Sequence, residues 1–252
     1  MIACLRGGPV NIDLAAARDL GVRVINTPGK NAQSVADLTR VYVHMLLRGV
    51  GPAVQWLRER AAAGERELDS TFVGGQWIAR EPDGLVMGLI GLGAIGRLVA
   101  ERALSDGMTV LAYDPYITNS PEGVELTNLT ELAERCDVVS IHAKATPQTH
   151  HLVGAGLLRS VRPGAVLVNT SRQQLVDEQA LLASLLAGHL SGAALDVCEP
   201  DGCWPELSAL PNVVVSPHLG GATLQTQQRG LVMAVADIRR FLAGEALRHA
   251  VV

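Results

Sequence analysis

Cysteine is scarce in this chain: Cys4, Cys136, Cys198 and Cys203 are the only four among 252 residues. No two have C-x-x-C spacing, and four are too few for a disulfide framework, so they read as reduced, mostly buried thiols of a cytosolic protein. Long apolar runs are missing as well. The longest, Leu85 to Gly96, is glycine-rich, ends at Arg97 and is too short to span a bilayer. The opening "MIACLRGG" has no signal-peptide core. Basic residues do not cluster on a helical face and the formal charge is −4, so nucleic acid is not an expected partner. No G-x-S-x-G occurs, which disfavours a serine hydrolase. Repeats and low-complexity segments are absent too. With 48% hydrophobic and 18% charged residues, the chain reads as cytoplasmic, soluble and globular, with no membrane association. It is long enough for one large domain or two modest ones.

What is present is a regular alternation from Leu85 onward. Short β-rich runs ("LVMGLIG", "MTVLAYD", "DVVSIHA", "GAVLVNT", "GAALDV", "NVVVS") alternate with helical patterns near 95–106, 129–135, 154–160 and 177–187. That order predicts an α/β fold, a Rossmann-type doubly wound parallel sheet with helices on both faces. A last helix is expected over 224–242. Earlier, "SVADLTRVYVHMLLR" repeats apolar residues with a helical period, with Ser34 as its cap. Residues 49–84 read as an irregular surface excursion with little core. Before them lie a loop, a helix over about 13–20 and a strand in "VRVINT". One helix and one strand cannot enclose a core, so this segment needs partners from elsewhere in the chain.

"GLIGLGAIGR" places Gly91, Gly93 and Gly96 in a G-x-G-x-x-G pattern directly after a strand and at the start of a helix. The first glycine permits the tight turn, the second lets backbone approach a pyrophosphate, and the third lets helix and strand pack closely. The phosphates would meet free N–H groups at the positive end of the helix dipole. Alone the triplet is a weak signal. The next strand, however, ends at Asp114, close to the acidic position expected about 20 residues on. A carboxylate there bonds the ribose hydroxyls of NAD and repels the extra phosphate of NADP. No Arg or Lys follows in "PYIT" to accept that phosphate, so NAD is the expected cofactor.

Three polar groups follow the ends of three successive strands: Arg172 after "AVLVNTS", Glu199 and Asp201 after "GAALDV", and His218 after "NVVVSP". Ligands of open α/β sheets bind at that edge. A lone strand-end Arg is usually a surface ion-pair residue and a lone His after Pro is usually a loop residue. Together, beside a cofactor fingerprint, they suit hydroxy-acid oxidation. Arg can hold a carboxylate bidentately and polarise a carbonyl. His can exchange the hydroxyl proton as hydride moves to or from a nicotinamide. A carboxylate beside it keeps it oriented and raises its pKa. His142, His150 and His151 cluster without a carboxylate or cysteine at ligand spacing, so no metal site is expected. His44 reads as packed or half-exposed, and His189 and His249 as surface positions near helix ends.

The motifs "GLIGLGAIGR", "VNTSRQQLVDEQALLASLLAGHLSGAALDV" and "LPNVVVSPHLGG" resemble the D-isomer-specific 2-hydroxyacid dehydrogenases, from about Arg6 to the end and most weakly over 50–84. The resemblance implies a catalytic Arg172, an acid at Glu199 or Asp201, and His218. It implies that Asp196 holds the nicotinamide amide and that backbone around Ala94, Ile95, Thr146, Thr170 and Gly220 contacts NAD. It implies a substrate contact at Gly7 and Gly8 and a hinge residue near the substrate at Asn31. It also implies a homodimer acting on a 2-hydroxy or 2-keto acid. The NAD-binding domain would be 31–220, and 1–30 with 221–252 would form an incomplete flavodoxin-like substrate domain.

Two departures follow from the same resemblance. The family's substrate domain starts several strands earlier, so the chain reads as N-terminally truncated, with apolar surface expected to be exposed on Val22, Val24 and the last helix. Gln173 stands where a glycine usually follows the catalytic Arg, which would crowd the nicotinamide or shift Arg172. The acid stays open: spacing from Asp196 points to Asp201, counting back from His218 points to Glu199. Absorbing a deletion in an exposed "GCWPEL" loop favours Asp201. Alternative readings are an NAD-binding dimeric module, or a truncated remnant without turnover.

Overall fold

The structure, a computed structural model, describes residues 1–67 and 77–252. In chain order its elements are β1 (Ile2–Ala3), α1 (Leu14–Asp19), β2 (Val24–Ile25), α2 (Ala32–Leu47), α3 (Val50–Ala62), β3 (Val86–Ile90), α4 (Ala94–Ser105), β4 (Thr109–Tyr113) and β5 (Val124–Leu126). There follow α5 (Leu129–Arg135), β6 (Val138–Ile141), α6 (Ala155–Ser160), β7 (Val166–Asn169), α7 (Glu178–Leu186), β8 (Gly192–Leu195), α8 (Trp204–Ala209), β9 (Val213–Val215) and α9 (Leu224–Leu242). Two compact units result, one made of 35–219 and the other of 1–34 with 220–252.

The larger unit holds a seven-stranded sheet in the order β5-β4-β3-β6-β7-β8-β9, every pairing parallel. The strands read as continuous apolar runs because both faces are covered. Side chains alternate across the sheet: Val166 and Val168 join one aliphatic cluster with Met87, Leu89 and Val99, while Leu167 joins the other with Leu132, Ile141 and Leu181. The chain winds outward from β3 to β5, then returns to start again at β6 on the opposite side of β3. That reversal opens a crevice at the carboxyl ends of β3 and β6. The doubly wound α/β expectation is met, with each of the six expected strands in the sheet and β5 added at its edge.

Several expectations need correction. Residues 49–84 are not wholly irregular, because Val50–Ala62 forms α3; none of its side chains is buried, so its missing apolar face hid it. The part of that stretch over 68–76 lies outside the described residues. Ser34 does not cap α2, which begins at Ala32. Instead Ser34 is itself buried within the helix. The "GCWPEL" stretch is no exposed loop but starts α8, anchored by buried Cys203 and Leu207. The short strands β1 and β5 were not legible either, since neither has enough residues to show a period.

In the smaller unit β1 and β2 pair in parallel, and Ile25 bridges the chain end antiparallel at Ala250. The partners this segment needed are thus its own first residues and the last ones. Val24 is fully buried between them, contrary to the exposure expected there, and Val22 is half-buried. On α9 the expected apolar exposure is present at Leu224, Leu231, Val232 and Leu242. His249 is not a plain surface residue: its Nδ1 lies 2.7 Å from Oδ2 of Asp237, whose side chain is buried on α9. Among the described residues no helix is long and apolar enough to cross a membrane.

Candidate active site

Gly91 ends β3 with φ of +99°, a conformation that favours glycine, and donates its N–H to Tyr113 O. A Cβ on it would lie 2.7 Å from the His142 carbonyl, so the turn is tight on the β6 side. A Cβ on Gly96 would collide with the Gly91 carbonyl oxygen, which is how closely α4 packs on the strand. Gly93 differs from both. Nothing stands within 4 Å of where its Cβ would be, and it begins α4 with no side-chain cap. The helix N-terminus therefore keeps orphan N–H groups, at Ala94 and Ile95 among others, facing open space. That is the cradle a pyrophosphate fits.

Asp114 stands just beyond β4 and is half-buried. Its Oδ2 accepts the Leu92 N–H at 2.8 Å and its Oδ1 the Tyr116 N–H at 3.0 Å. The carboxylate is thereby fixed beside the glycine turn, where a ribose hydroxyl could reach it. Across the crevice His142 packs beneath the turn, with Nε2 2.9 Å from Ser140 Oγ and Nδ1 buried without a partner. Burial pushes its pKa down to about 4, so the imidazole is neutral. Thr146 heads a short 3-10 turn and gives its N–H to Thr149 Oγ1. Thr170 is buried, its hydroxyl 3.0 Å from that of Thr39 on α2. Among the described residues there is no cluster of metal-binding side chains, and His150 and His151 simply stack on each other.

Beyond β7, β8 and β9 lie the candidate catalytic groups. Arg172 is exposed and donates from its guanidinium to the Ser171 carbonyl, while its own carbonyl accepts from Asn169 Nδ2. Asp196 is buried at the end of β8 and accepts Ser216 Oγ–H and the Leu219 N–H, both at 2.6 Å. Its carbonyl accepts the His218 N–H at 3.0 Å. These bonds fold the 216–219 segment back over β8 and leave the His218 side chain exposed, with φ of +59°. A cavity of about 540 Å³ opens there. Asp196, Glu199 and His218 border it, and so does Gln173. Asp201 is exposed and is not among its lining residues.

Some contributors were not legible in the sequence. Glu178, the first residue of α7, is buried and accepts the N–H of Glu199 at 2.8 Å and of Cys203 at 2.9 Å, one on each oxygen. Its partners are backbone groups, which leave no trace in sequence. The turn it clamps is closed by Gly202 N–H to the Glu199 carbonyl. Tyr42 of α2 hydrogen-bonds Ser216 Oγ; burial, the largest influence, raises its pKa. Ser216 could have been suspected, being a polar residue at a strand's carboxyl end two before the histidine. Cys198 borders the cavity, its thiol pushed up to about 12 by burial and by Glu178 and Asp196. In the smaller unit Asn26 Nδ2 donates to the Gly7 carbonyl at 2.8 Å, pinning an exposed loop that includes Gly8. Asn31 lies against Gly221, and Gly220 is buried.

A parallel doubly wound sheet with an uncapped glycine turn at its switch point and an acid ending the next strand defines a dinucleotide-binding α/β protein. Residues 42–220 match the family described as D-isomer specific 2-hydroxyacid dehydrogenase, NAD binding domain. The chain belongs to that family, and NAD is the cofactor its matched domain binds. It is 36% identical over 245 residues to D-3-phosphoglycerate dehydrogenase of Mycobacterium tuberculosis, covering 96% of this chain and 44% of that protein. It thus spans less than half the length of that relative. To hydroxypyruvate reductase of Thermotoga maritima it is 35% identical over 223 residues, 87% of this chain and 70% of the reductase. The TT0316 protein of Thermus thermophilus superposes with a TM-score of 0.86 at 36% identity, over 100% of this chain and 79% of that one. D-lactate dehydrogenase of Aquifex aeolicus, solved with NAD and lactic acid, gives 0.79 at 28% identity, over 97% and 76%.

Proposed function

We propose that the chain is an NAD-dependent oxidoreductase that interconverts a D-2-hydroxy acid and the corresponding 2-keto acid. The observation that carries this reading is the shared cavity at the carboxyl ends of β8 and β9, bordered by both His218 and Glu199. It lies on the same sheet edge as the glycine cradle. NAD, when bound, supplies the hydride acceptor or, reduced, the donor. Gly91, Gly93, Gly96, Ala94 and Ile95 would hold its pyrophosphate, and Asp114 its ribose. Asp196, Thr146, Thr170 and Gly220 complete the cofactor contacts in this reading.

His218 takes the substrate hydroxyl proton in oxidation and returns it to the carbonyl oxygen in reduction. Arg172 binds the substrate carboxylate and polarises the carbonyl. Of the two acids, Glu199 is the one we assign as partner of His218, because it borders the cavity with the histidine and its turn is clamped by Glu178, whereas Asp201 is not among the lining residues. In the same reading two copies associate as a homodimer.

Steady-state oxidation of NADH with a panel of 2-keto acids tests the proposal. His218→Asn is the informative variant, since asparagine tolerates the left-handed backbone at this position and removes the imidazole without added strain. It should lower kcat by about 10²- to 10⁴-fold. Glu199→Gln should lower kcat; Asp201→Asn should not. A folded, NADH-binding sample that turns over no 2-keto acid would refute the enzyme reading. The opposite ranking of the two acids would move the role to Asp201.

A further inference from the structure

Arg172 has little of its own to hold it. Its side chain is exposed, and among the described residues the guanidinium's one hydrogen bond is to the Ser171 carbonyl, at 2.7 Å. A side chain with that much rotamer freedom reaches one place reproducibly only if the backbone aims its Cα–Cβ bond. The Arg172 backbone is extended, with φ of −143° and ψ of 143°, between the end of β7 and a 3-10 turn over Gln173–Leu175. Two side chains that the reaction does not otherwise use fix that backbone.

Asn169 is the last residue of β7 and is buried. Its Oδ1 accepts the Ser171 N–H and its Nδ2 donates to the Arg172 carbonyl, both at 3.0 Å. One planar amide thus spans the turn, its acceptor on a donor and its donor on an acceptor. Aspartate has the same shape but no donor for the Arg172 carbonyl, so the pairing is specific to the amide. Ser171 anchors the same turn to the neighbouring strand: its Oγ donates to the Ala143 carbonyl at 2.6 Å, two residues beyond β6. The Leu175 N–H adds a longer bond to the Arg172 carbonyl, at 3.3 Å. The arginine's backbone is therefore held from its own strand, from the end of β6 and from the turn that follows.

We infer that Asn169, assisted by Ser171, is a positioning residue that aims Arg172 at the substrate carboxylate. The inference rests on the dehydrogenase reading above for what Arg172 binds. Asn169→Asp is nearly isosteric and deletes the Nδ2 donor alone. It should lower kcat/KM for 2-keto acids by about 10- to 100-fold, the scale that a misplacement of about 1 Å costs. Affinity for NADH, read by fluorescence titration, should stay within about twofold. In an Arg172→Ala background the same substitution should change kcat/KM by no more than about twofold, because the group it aims is gone. Ser171→Ala should show the same dependence on Arg172 with a smaller loss, and Ser171→Thr, which keeps the hydroxyl, should restore it. The serine pair carries the test if Asn169→Asp does not fold.

Calorimetry of oxamate, an unreactive analogue of a 2-keto acid, into the chain with excess NADH reads the same coupling without turnover. Oxamate binding that Asn169→Asp weakens only when Arg172 is present, in a chain that oxidises NADH with no keto acid, would uphold the positioning role and refute the dehydrogenase reading. Equal losses from Asn169→Asp with and without Arg172, or none with it, would overturn the inference, while wild-type turnover kept the dehydrogenase reading. A wild-type chain that neither turns over a keto acid nor binds oxamate overturns both.

Discussion

Ser216 donates its hydroxyl to Asp196 Oδ1 at 2.6 Å, tying the segment that carries His218 to the end of the neighbouring strand. The same oxygen accepts the Leu219 N–H, and Tyr42 Oη reaches Ser216 from α2. The His218 N–H is shared between the Asp196 and Ser216 carbonyls, each at 3.0 Å, so the orientation of its turn depends on how Ser216 is held. Ser216→Ala removes two partly buried hydrogen bonds, to Asp196 and Tyr42, a cost of about 1 kcal/mol each in stability. We expect kcat with any accepted keto acid to fall about tenfold, more than KM changes, with Ser216→Thr restoring it. Equal losses in Ala and Thr variants, or none in either, would show that the hydroxyl does not position the turn.

Gly93 and Gly96 differ in what a methyl group would meet, and that difference separates folding from binding. Gly96→Ala forces α4 away from the Gly91 carbonyl and should destabilise the larger unit measurably in thermal melts. Gly93→Ala has open space and should leave the melt within about 0.5–1 kcal/mol of the wild type, the helix-start propensity range. Yet it places a methyl group where a pyrophosphate would sit, so NADH affinity measured by fluorescence titration should drop at least tenfold. Normal NADH binding by a folded Gly93→Ala chain would argue that the cofactor does not use this cradle.

Asp114 is held by two backbone N–H groups, one on each oxygen. In the proposed function this carboxylate bonds the ribose and repels a 2′-phosphate, and alanine would remove both effects. The dissociation constant for NADH should rise about tenfold, the scale of a charge-assisted hydrogen bond. That for NADPH should fall or hold, so the preference ratio narrows. Parallel titrations of the two cofactors give the ratio directly, and an unchanged ratio would remove Asp114 from cofactor choice.

Much of this arrangement is legible in the sequence because the elements that carry it are strongly periodic. The β-runs from Val86 to Val215 are buried on both faces, and the glycine triplet has one geometric use between a strand and a helix. Elements that failed to announce themselves are those whose stability comes from elsewhere. The α3 helix has no apolar face, β5 has three residues, and α8 is pinned by a backbone bond to Glu178. At the candidate site the strand-end positions of Arg172, Glu199 and His218 were legible, but the choice between Glu199 and Asp201 was not. Spacing counts residues along the chain, whereas the turn clamped by Glu178 decides which side chain borders the cavity. Val24 was misjudged for a related reason: its cover comes from β1 and from Val252, nearly the whole sequence away.

Asp237 gives the smaller unit a pH dependence whose sign can be worked out. Its side chain is fully buried on α9 and accepts the Arg248 N–H at 2.7 Å, the His249 N–H at 3.2 Å and the His249 ring. Burial alone would raise its pKa; the Arg248 N–H and the His249 ring outweigh that and hold the carboxyl below its usual value. A depressed folded-state pKa means the bonds contribute in full above the unfolded aspartate value of about 3.9 and are lost as pH falls through the lower folded value. These bonds hold the chain end that pairs with β2, where Val251 donates its N–H to the Val24 carbonyl. Hydrogen exchange at Val251, corrected for the intrinsic pH dependence, should therefore speed up as pH drops below about 3.9 in the wild type. In Asp237→Asn the protection should be lower at neutral pH, by about 1–3 kcal/mol for the weakened buried bonds, and flat across the acid range. A wild-type acid limb that survives the substitution would assign the effect to another carboxylate.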